Sequence, residues 1–193
     1  MTKVLLTGFE PFGTATSNPS GEIVKQISGD NIVTAILPVA YAQSAERLLA
    51  LIAEHNPDVV ICLGQAEGRT QISPEKVAIN LDDARLADNE GVLRNDVKIL
   101  EGGPDAYFST LPVKEIVEAI KTAGVPAAVS LSAGAFLCNH VFYVAQNKFA
   151  GTNVRSGFVH VPLMDSQAPE FPGLPTMPLD QMVIAVRAML EVL

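Results

Sequence analysis

Between Val129 and Tyr143 the chain reads Val129-Ser-Leu-Ser-Ala-Gly-Ala-Phe-Leu-Cys138-Asn-His-Val-Phe-Tyr143. An apolar start, a run of small residues and then a cysteine at the head of a helical pattern predict strand, loop, helix. That order places Cys138 at a helix N-terminus, where unpaired N–H groups and the helix dipole favour an anion. The expectation is a thiolate, the nucleophilic form of cysteine, beside a backbone N–H able to receive an oxyanion. Position alone leaves a second reading open, because free cysteines are often small buried hydrophobes. The other cysteine, Cys62, lies inside the apolar run Asp58-Val-Val-Ile-Cys-Leu-Gly64 and reads as an inert core thiol.

A cysteine nucleophile needs a base, and the chain has three histidines. His55 closes a helical pattern just before Asn56-Pro57 and reads as a solvated terminal residue. His140 follows Cys138 by two positions and points to another side of the same helix. His160 ends the run Gly157-Phe-Val-His-Val-Pro162, where α/β folds gather their ligands, and is the preferred base. Glu75 shares strand parity with Val77, Ile79 and Leu81, so its carboxylate starts on an apolar face and needs a partner. Orienting His160 would provide one; a solvated strand end is the alternative.

The elements that must position these groups alternate between apolar β-branched runs and helical patterns, which predicts an α/β fold. The expectation is a three-layer α/β/α sandwich with a mostly parallel central sheet, residues 1–193 forming a single domain. Strands are expected at 4–7, 32–37, 58–63, 75–81, 127–131 and 157–161. Helices are expected at 19–27, with Asn18 as N-cap and Pro19 at the first position, and at 42–54, 112–123, 138–149 and 178–192. The strand at 58–63 is apolar enough to be buried on both faces. Residues 82–106 form a long acidic excursion with a turn at Asp88-Asn-Glu-Gly91. Its Asp82, Asp83, Asp88 and Glu90 read as solvated or salt-bridged surface. The apolar side of the last helix (Met182, Val183, Val186, Met189, Leu190) fits either the core or an interface.

Composition narrows the function classes. The 193 residues are 48% hydrophobic and 18% charged, an ordinary globular balance, and the net charge of -8 without a basic cluster argues against a nucleic-acid surface. The opening run Val4-Leu-Leu6 is too short for a signal peptide or a membrane span, and two cysteines without a secretion signal read as free thiols in the cytoplasm. Metal-ligand spacings and glycine-rich phosphate loops are missing, so neither a metal nor another cofactor is expected.

Several segments in register resemble the pyroglutamyl-peptidase I family. They are Leu6-Thr-Gly-Phe-Glu-Pro-Phe-Gly13 with Asn18-Pro-Ser20, Pro74-Glu-Lys-Val-Ala-Ile-Asn80, Asp82-Asp-Ala-Arg85 with Asp88-Asn-Glu-Gly91, Ser132 through Tyr143, and Gly157 to Pro162. They cover most of residues 4–162, and the likeness beyond Pro162 is loose. The resemblance implies a Cys138–His160–Glu75 triad, Arg85 helping the Cys138 N–H to hold the oxyanion, and a pyroglutamyl pocket from Phe9, Phe12, Asn18 and Gln65 with Leu137 beside the nucleophile. Pyroglutamate is a flat, neutral lactam, which phenyl rings can enclose while amide groups read its N–H and C=O. The implied substrates are pyroglutamyl peptides, cleaved through a thioester, and the implied assembly is a homo-oligomer, commonly a tetramer. Two alternatives use the same residues: a glutaminase-type cysteine amidase, and a catalytically silent small-molecule binding module.

Overall fold

Residues 1–193 are described by a computed structural model. The first apolar run forms β1 (Val4–Phe9), and Asn18 caps α1 (Pro19–Val24) as its sequence suggests. The Asn18 Oδ1 accepts the Ser20 N–H at 3.1 Å, in extended backbone with proline at the first helical position. The Ser20 hydroxyl also donates to Asn18 Oδ1 at 2.7 Å while accepting the Phe9 N–H at 3.0 Å, which stitches strand to helix. Next come β2 (Ile32–Leu37), α2 (Tyr41–His55) and β3 (Val59–Gln65), the last buried along its whole length as expected. The chain continues through β4 (Ser73–Pro74), β5 (Val77–Ile79), β6 (Ala106–Phe108), α3 (Val113–Thr122), α4 (Leu137–Lys148) and β7 (Arg155–Val161). It ends with β8 (Leu163–Met164), a 3-10 turn at Asp165–Gln167, β9 (Thr176–Met177) and α5 (Leu179–Leu190).

The main sheet has the order β2-β1-β3-β7-β4, parallel except for the short edge strand β4. Strand alternation sends Val4, Leu6, Ile61, Leu63, Val159 and Val161 into a core shared with α1, α3 and α5. Leu5, Phe9, Val60, Cys62 and Phe158 face the opposite core with α2 and α4. This is the expected three-layer α/β/α sandwich. The apolar side of α5 belongs to the first core, with Met182, Val186 and Met189 fully buried, which settles its role as packing. No helix is long and apolar enough to cross a membrane.

Three expectations are corrected. Residues 127–131 make only isolated parallel bridges, Ile72 to Ala127 and Glu75 to Ser130, instead of a strand. Residues 75–81 hold only the three-residue β5, paired with an unanticipated β6, and its buried side is Ala78 with Asn80 rather than Val77 and Ile79. Hydrogen bonding decides that face: Asn139 of α4 grips the Ile79 backbone at 2.9 Å through both N–H and C=O, seating the strand on the helix. The acidic excursion is also not merely surface. Asp82 and Asp88 are buried, and Asp88 accepts the N–H groups of Tyr41, Glu90 and Val92, so it caps α2 and folds its own loop at once.

Because β1 lies between β2 and β3, the connections leaving β1 and β3 diverge at their carboxyl ends and open a crevice, the usual ligand position in such sheets. Gly8 lets α1 come close to it: a Cβ there would lie 2.3 Å from the Ser20 carbonyl oxygen. Since backbone must then move, Gly8→Ala is expected to lower unfolding free energy by about 3 kcal/mol, the upper end for overpacking. Urea denaturation showing a shifted midpoint at unchanged slope checks this.

Candidate active site

Opposite pairing places Ser73 beside His160 and Glu75 beyond it on the same side of the sheet. The Glu75 N–H donates to the Phe158 carbonyl at 2.9 Å, and its side chain turns to His160 with 2.7 Å between Oε1 and Nδ1. Glu75 has 0% and His160 4% relative exposure. The solvated-strand-end alternative for Glu75 is therefore wrong. Sequence reasoning missed the cation that accompanies this buried carboxylate: an Arg69 guanidinium nitrogen is 2.9 Å from Glu75 Oε1 and 3.2 Å from the Ser132 carbonyl. The apolar surroundings of Glu75 signalled that a cation was needed, but not which one.

Gly64 pairs with His160 in the parallel β3–β7 register and faces α4. A Cβ on Gly64 would be 2.8 Å from Cys138 Sγ and 2.6 Å from the Phe158 ring, so only glycine lets the cysteine settle over the strand. Cys138 occupies the second position of α4, whose N-cap Phe136 offers no side-chain cap. The N–H groups of Leu137 and Asn139 find no acceptor within the protein, and that of Cys138 turns toward its own thiol. All three point from the helix end without helical acceptors.

Two opposing influences act on the thiolate expected at Cys138. Burial, reinforced by the negative charge of Glu75 and only partly opposed by Arg69, pushes the Cys138 thiol up to about 12. Burial also lowers His160, against the opposing pull of Glu75. Both shifts disfavour the charged forms and oppose the anion-favouring field of the helix N-terminus. Cys62 is fully buried and raised to about 11 by desolvation, in keeping with an inert core thiol.

In front of Cys138 lies a pocket of about 320 Å³, including its open mouth, lined by Phe9, Phe12, Asn18, Val39, Gln65, Phe136, Leu137 and Cys138. All five residues of the expected pocket thus converge on the cysteine. Val39 and Phe136 were not anticipated; Phe136 packs between Phe12 at 6.2 Å and Tyr41 at 5.8 Å between ring centroids. None of the lining side chains is charged. Asn18 has little left for a ligand, with its oxygen taken by Ser20 and its nitrogen donating to the Glu10 carbonyl. The Gln65 Nε2 is buried and has no partner. Arg85 does not line the pocket; it is exposed and forms no ion pair. Its loop is nevertheless anchored nearby, since the Asp83 N–H donates to the Ala135 carbonyl at 2.8 Å.

Comparison with known proteins agrees with this geometry. The family model for pyroglutamyl peptidase matches residues 2–193. The chain belongs to the pyroglutamyl peptidase family. It is 46% identical over 200 residues to a pyrrolidone-carboxylate peptidase of Aliivibrio fischeri, covering 99% of this chain and 94% of the relative. A pyrrolidone-carboxylate peptidase 1 of Ralstonia nicotianae is 48% identical over 198 residues, at 99% and 92% coverage. The crystal structure of pyroglutamyl peptidase I from Bacillus amyloliquefaciens superposes with a TM-score of 0.94 at 45% identity, covering 97% of this chain and 92% of that one. A mutant pyrrolidone carboxyl peptidase from Pyrococcus furiosus gives 0.91 at 39% identity, covering 98% and 97%. The match continues through residue 193, so the family likeness is not confined to the first 162 residues.

The raised thiol has a measurable consequence. Iodoacetamide alkylation of Cys138 in the free protein is expected to accelerate with pH through 9 without levelling; a plateau below pH 8 would reveal a stable thiolate instead. The same shift makes the fold retain a proton that the unfolded chain releases, so this group's contribution to stability is lost as pH rises from 9 toward about 12.

Proposed function

We propose that this member of the pyroglutamyl peptidase family hydrolyses the amide bond after an N-terminal pyroglutamyl residue, with Cys138 as nucleophile, His160 as acid–base and Glu75 as its orienting acid. The observation that carries the reading is an uncharged aromatic pocket opening directly on a cysteine that sits over Gly64, the register partner of His160 in a buried histidine–carboxylate pair. Glu75 holds Nδ1 of His160, which leaves Nε2 to exchange protons with the thiol and substrate.

The Cys138 thiol gives its proton to His160 as Sγ attacks the pyroglutamyl carbonyl carbon. The tetrahedral oxyanion is received by the unpaired N–H groups at the start of α4. His160 then returns the proton to the departing amine, the C–N bond breaks, and a thioester remains. Water, giving a proton to His160, attacks the thioester carbon; pyroglutamate leaves and the thiol recovers its proton. Lowering of His160 keeps it unprotonated at neutral pH, so the acid limb of the rate profile falls below 6.5.

Arg85 enters this reading as a positive charge that reaches the oxyanion from its anchored loop. The loop's attachment at Ala135, three residues before Cys138, supports that role. Pocket chemistry also separates the alternatives. A glutamine-like substrate brings a charged amine and carboxylate, and no lining residue is charged to receive them. A silent binding module would not need His160 on the face of the sheet that Cys138 covers.

Residues 1–193 act as one catalytic domain in this reading, without metal or other cofactor, in the cytoplasm, where the two cysteines stay as the free thiols of the structure. Assembly into a homo-oligomer, tetrameric by resemblance, is supported by large apolar side chains left on the surface, with Phe108 70% and Leu131 74% exposed.

Incubation with a pyroglutamyl fluorogenic amide under reducing conditions is expected to release fluorophore. Alkylation or Cys138→Ala is expected to abolish release; survival of turnover in Cys138→Ala sinks the assignment. Arg85→Ala is expected to lower kcat by about 100-fold, the usual loss for one oxyanion donor. An unchanged kcat removes Arg85 from the mechanism and leaves the backbone donors.

A further inference from the structure

Among the amide side chains lining the pocket, Gln65 has an unpartnered Nε2 and is held in place by a residue behind it. Gln167, in the 3-10 turn after β8, has no exposed surface and does not line the pocket. Its Oε1 accepts the Met164 N–H at 2.9 Å, and its Nε2 donates to the Ser17 carbonyl at 3.2 Å. A backbone N–H can only donate and a carbonyl can only accept, so these two bonds fix which end of the Gln167 amide is which. The same Nε2 donates to Gln65 at 3.0 Å, and the atom facing it must therefore be the oxygen of Gln65. Gln65 lines the pocket, and its NH₂, turned away from Gln167, is buried and without a partner.

We propose that Gln167 is a positioning residue that sets the hydrogen-bonding polarity of the pocket, making Gln65 a donor and selecting ligands with a carbonyl acceptor on the ring. The inference rests on the pyroglutamyl reading above, and names the feature of the lactam that Gln65 reads: its ring C=O. An unsatisfied buried donor is costly, so a ring with an acceptor is favoured over one without, such as proline. Both amide hydrogens of Gln167 are already committed, to Ser17 and Gln65, and it acts on the ligand only through Gln65. The turn that carries it is tied to the pocket loop a second time, where Thr16 donates to Glu170 at 2.8 Å through its hydroxyl and 3.1 Å through its N–H.

Gln167→Glu separates this role from simple support of the turn. The carboxylate still accepts the Met164 N–H but cannot donate, and the Gln65 amide turns over to give it a hydrogen bond, presenting an oxygen to the pocket. The expected result is a rise on the order of 10-fold to 100-fold in KM for a pyroglutamyl fluorogenic amide and in Ki for 2-pyrrolidone, with kcat changed much less. Gln65→Leu should lose a similar amount, and adding Gln167→Glu to it should lose nothing more. Gln167→Met, which brings in no charge, covers the case in which the glutamate variant does not fold; its loss should also vanish in the Gln65→Leu background. Folded Gln167 variants with the original KM and Ki overturn the proposal, as do losses that simply add to that of Gln65→Leu. Ki for 2-pyrrolidone is read from protection of Cys138 against iodoacetamide, which needs no turnover. A wild-type protein that binds 2-pyrrolidone but leaves the pyroglutamyl amide intact therefore overturns the peptidase reading while still testing Gln167.

Discussion

Glu75 puts a carboxylate where no water reaches it, and much of the site is arranged around satisfying that group. Its Oε1 receives His160 at 2.7 Å and Arg69 at 2.9 Å, and Arg69 is in turn held by the Ser132 carbonyl. This explains why a strand of only two residues, β4, runs antiparallel on the edge of an otherwise parallel sheet. Reversing direction there lays Ser73 and Glu75 along the same face as His160 and Phe158. It also explains the bridge from Glu75 to Ser130, which ties the carboxylate's strand to the loop leading into Cys138. Removing Arg69 would leave the Glu75 charge without a cation in a dry site, which typically costs about 3–5 kcal/mol. Catalytic geometry and local stability therefore rest on the same three side chains.

The dryness that makes Glu75 demanding also sets the character of the nucleophile. Burial raises the Cys138 thiol and lowers His160, so both shifts work against charge in the resting site. A pocket without charged lining suits an uncharged lactam. The oxyanion develops during reaction at the start of α4, where N–H groups lack helical acceptors. In a low-dielectric site such fixed dipoles stabilise an oxyanion far more than they would in water, and they need no rearrangement to do it.

Much of this was legible in the sequence, and the parts that were not share a cause. Periodicity and capping chemistry found β1, β2, β3, α2 and the Asn18 cap, because those signals are local. Strand–loop–helix order placed Cys138, and an out-of-place carboxylate marked Glu75. What escaped depends on register between distant segments. Gly64 looks like any strand-end glycine until pairing sets it beside His160 under the cysteine. Arg69 sits in an unremarkable loop, and Gln167 reads as a polar residue in a proline-rich stretch. The inverted face of β5 has the same origin: Val77 and Ile79 are the more apolar residues, but two hydrogen bonds from Asn139 overrule hydropathy.

A second cluster shows why such a constellation does not by itself identify a catalyst. His140 Nδ1 is 2.9 Å from Asp82, and Arg94 is 2.6 Å from the same carboxylate oxygen, so histidine, buried acid and arginine recur within one helical turn of Cys138. Arg94 further stacks 4.4 Å from the Tyr41 ring, whose edge meets His140 at 5.4 Å. The pairwise chemistry matches that of Glu75, His160 and Arg69. Two residues along a helix is roughly half a turn or more, however, so His140 leaves α4 on a different side from the thiol. There it meets the 82–97 segment rather than the sheet. Its clamp holds the acidic loop down through Asp82, whose backbone also pairs with Val97. Identical interactions thus serve support in one place and proton transfer in the other, and the difference lies in which histidine shares the face of the sheet that Cys138 covers.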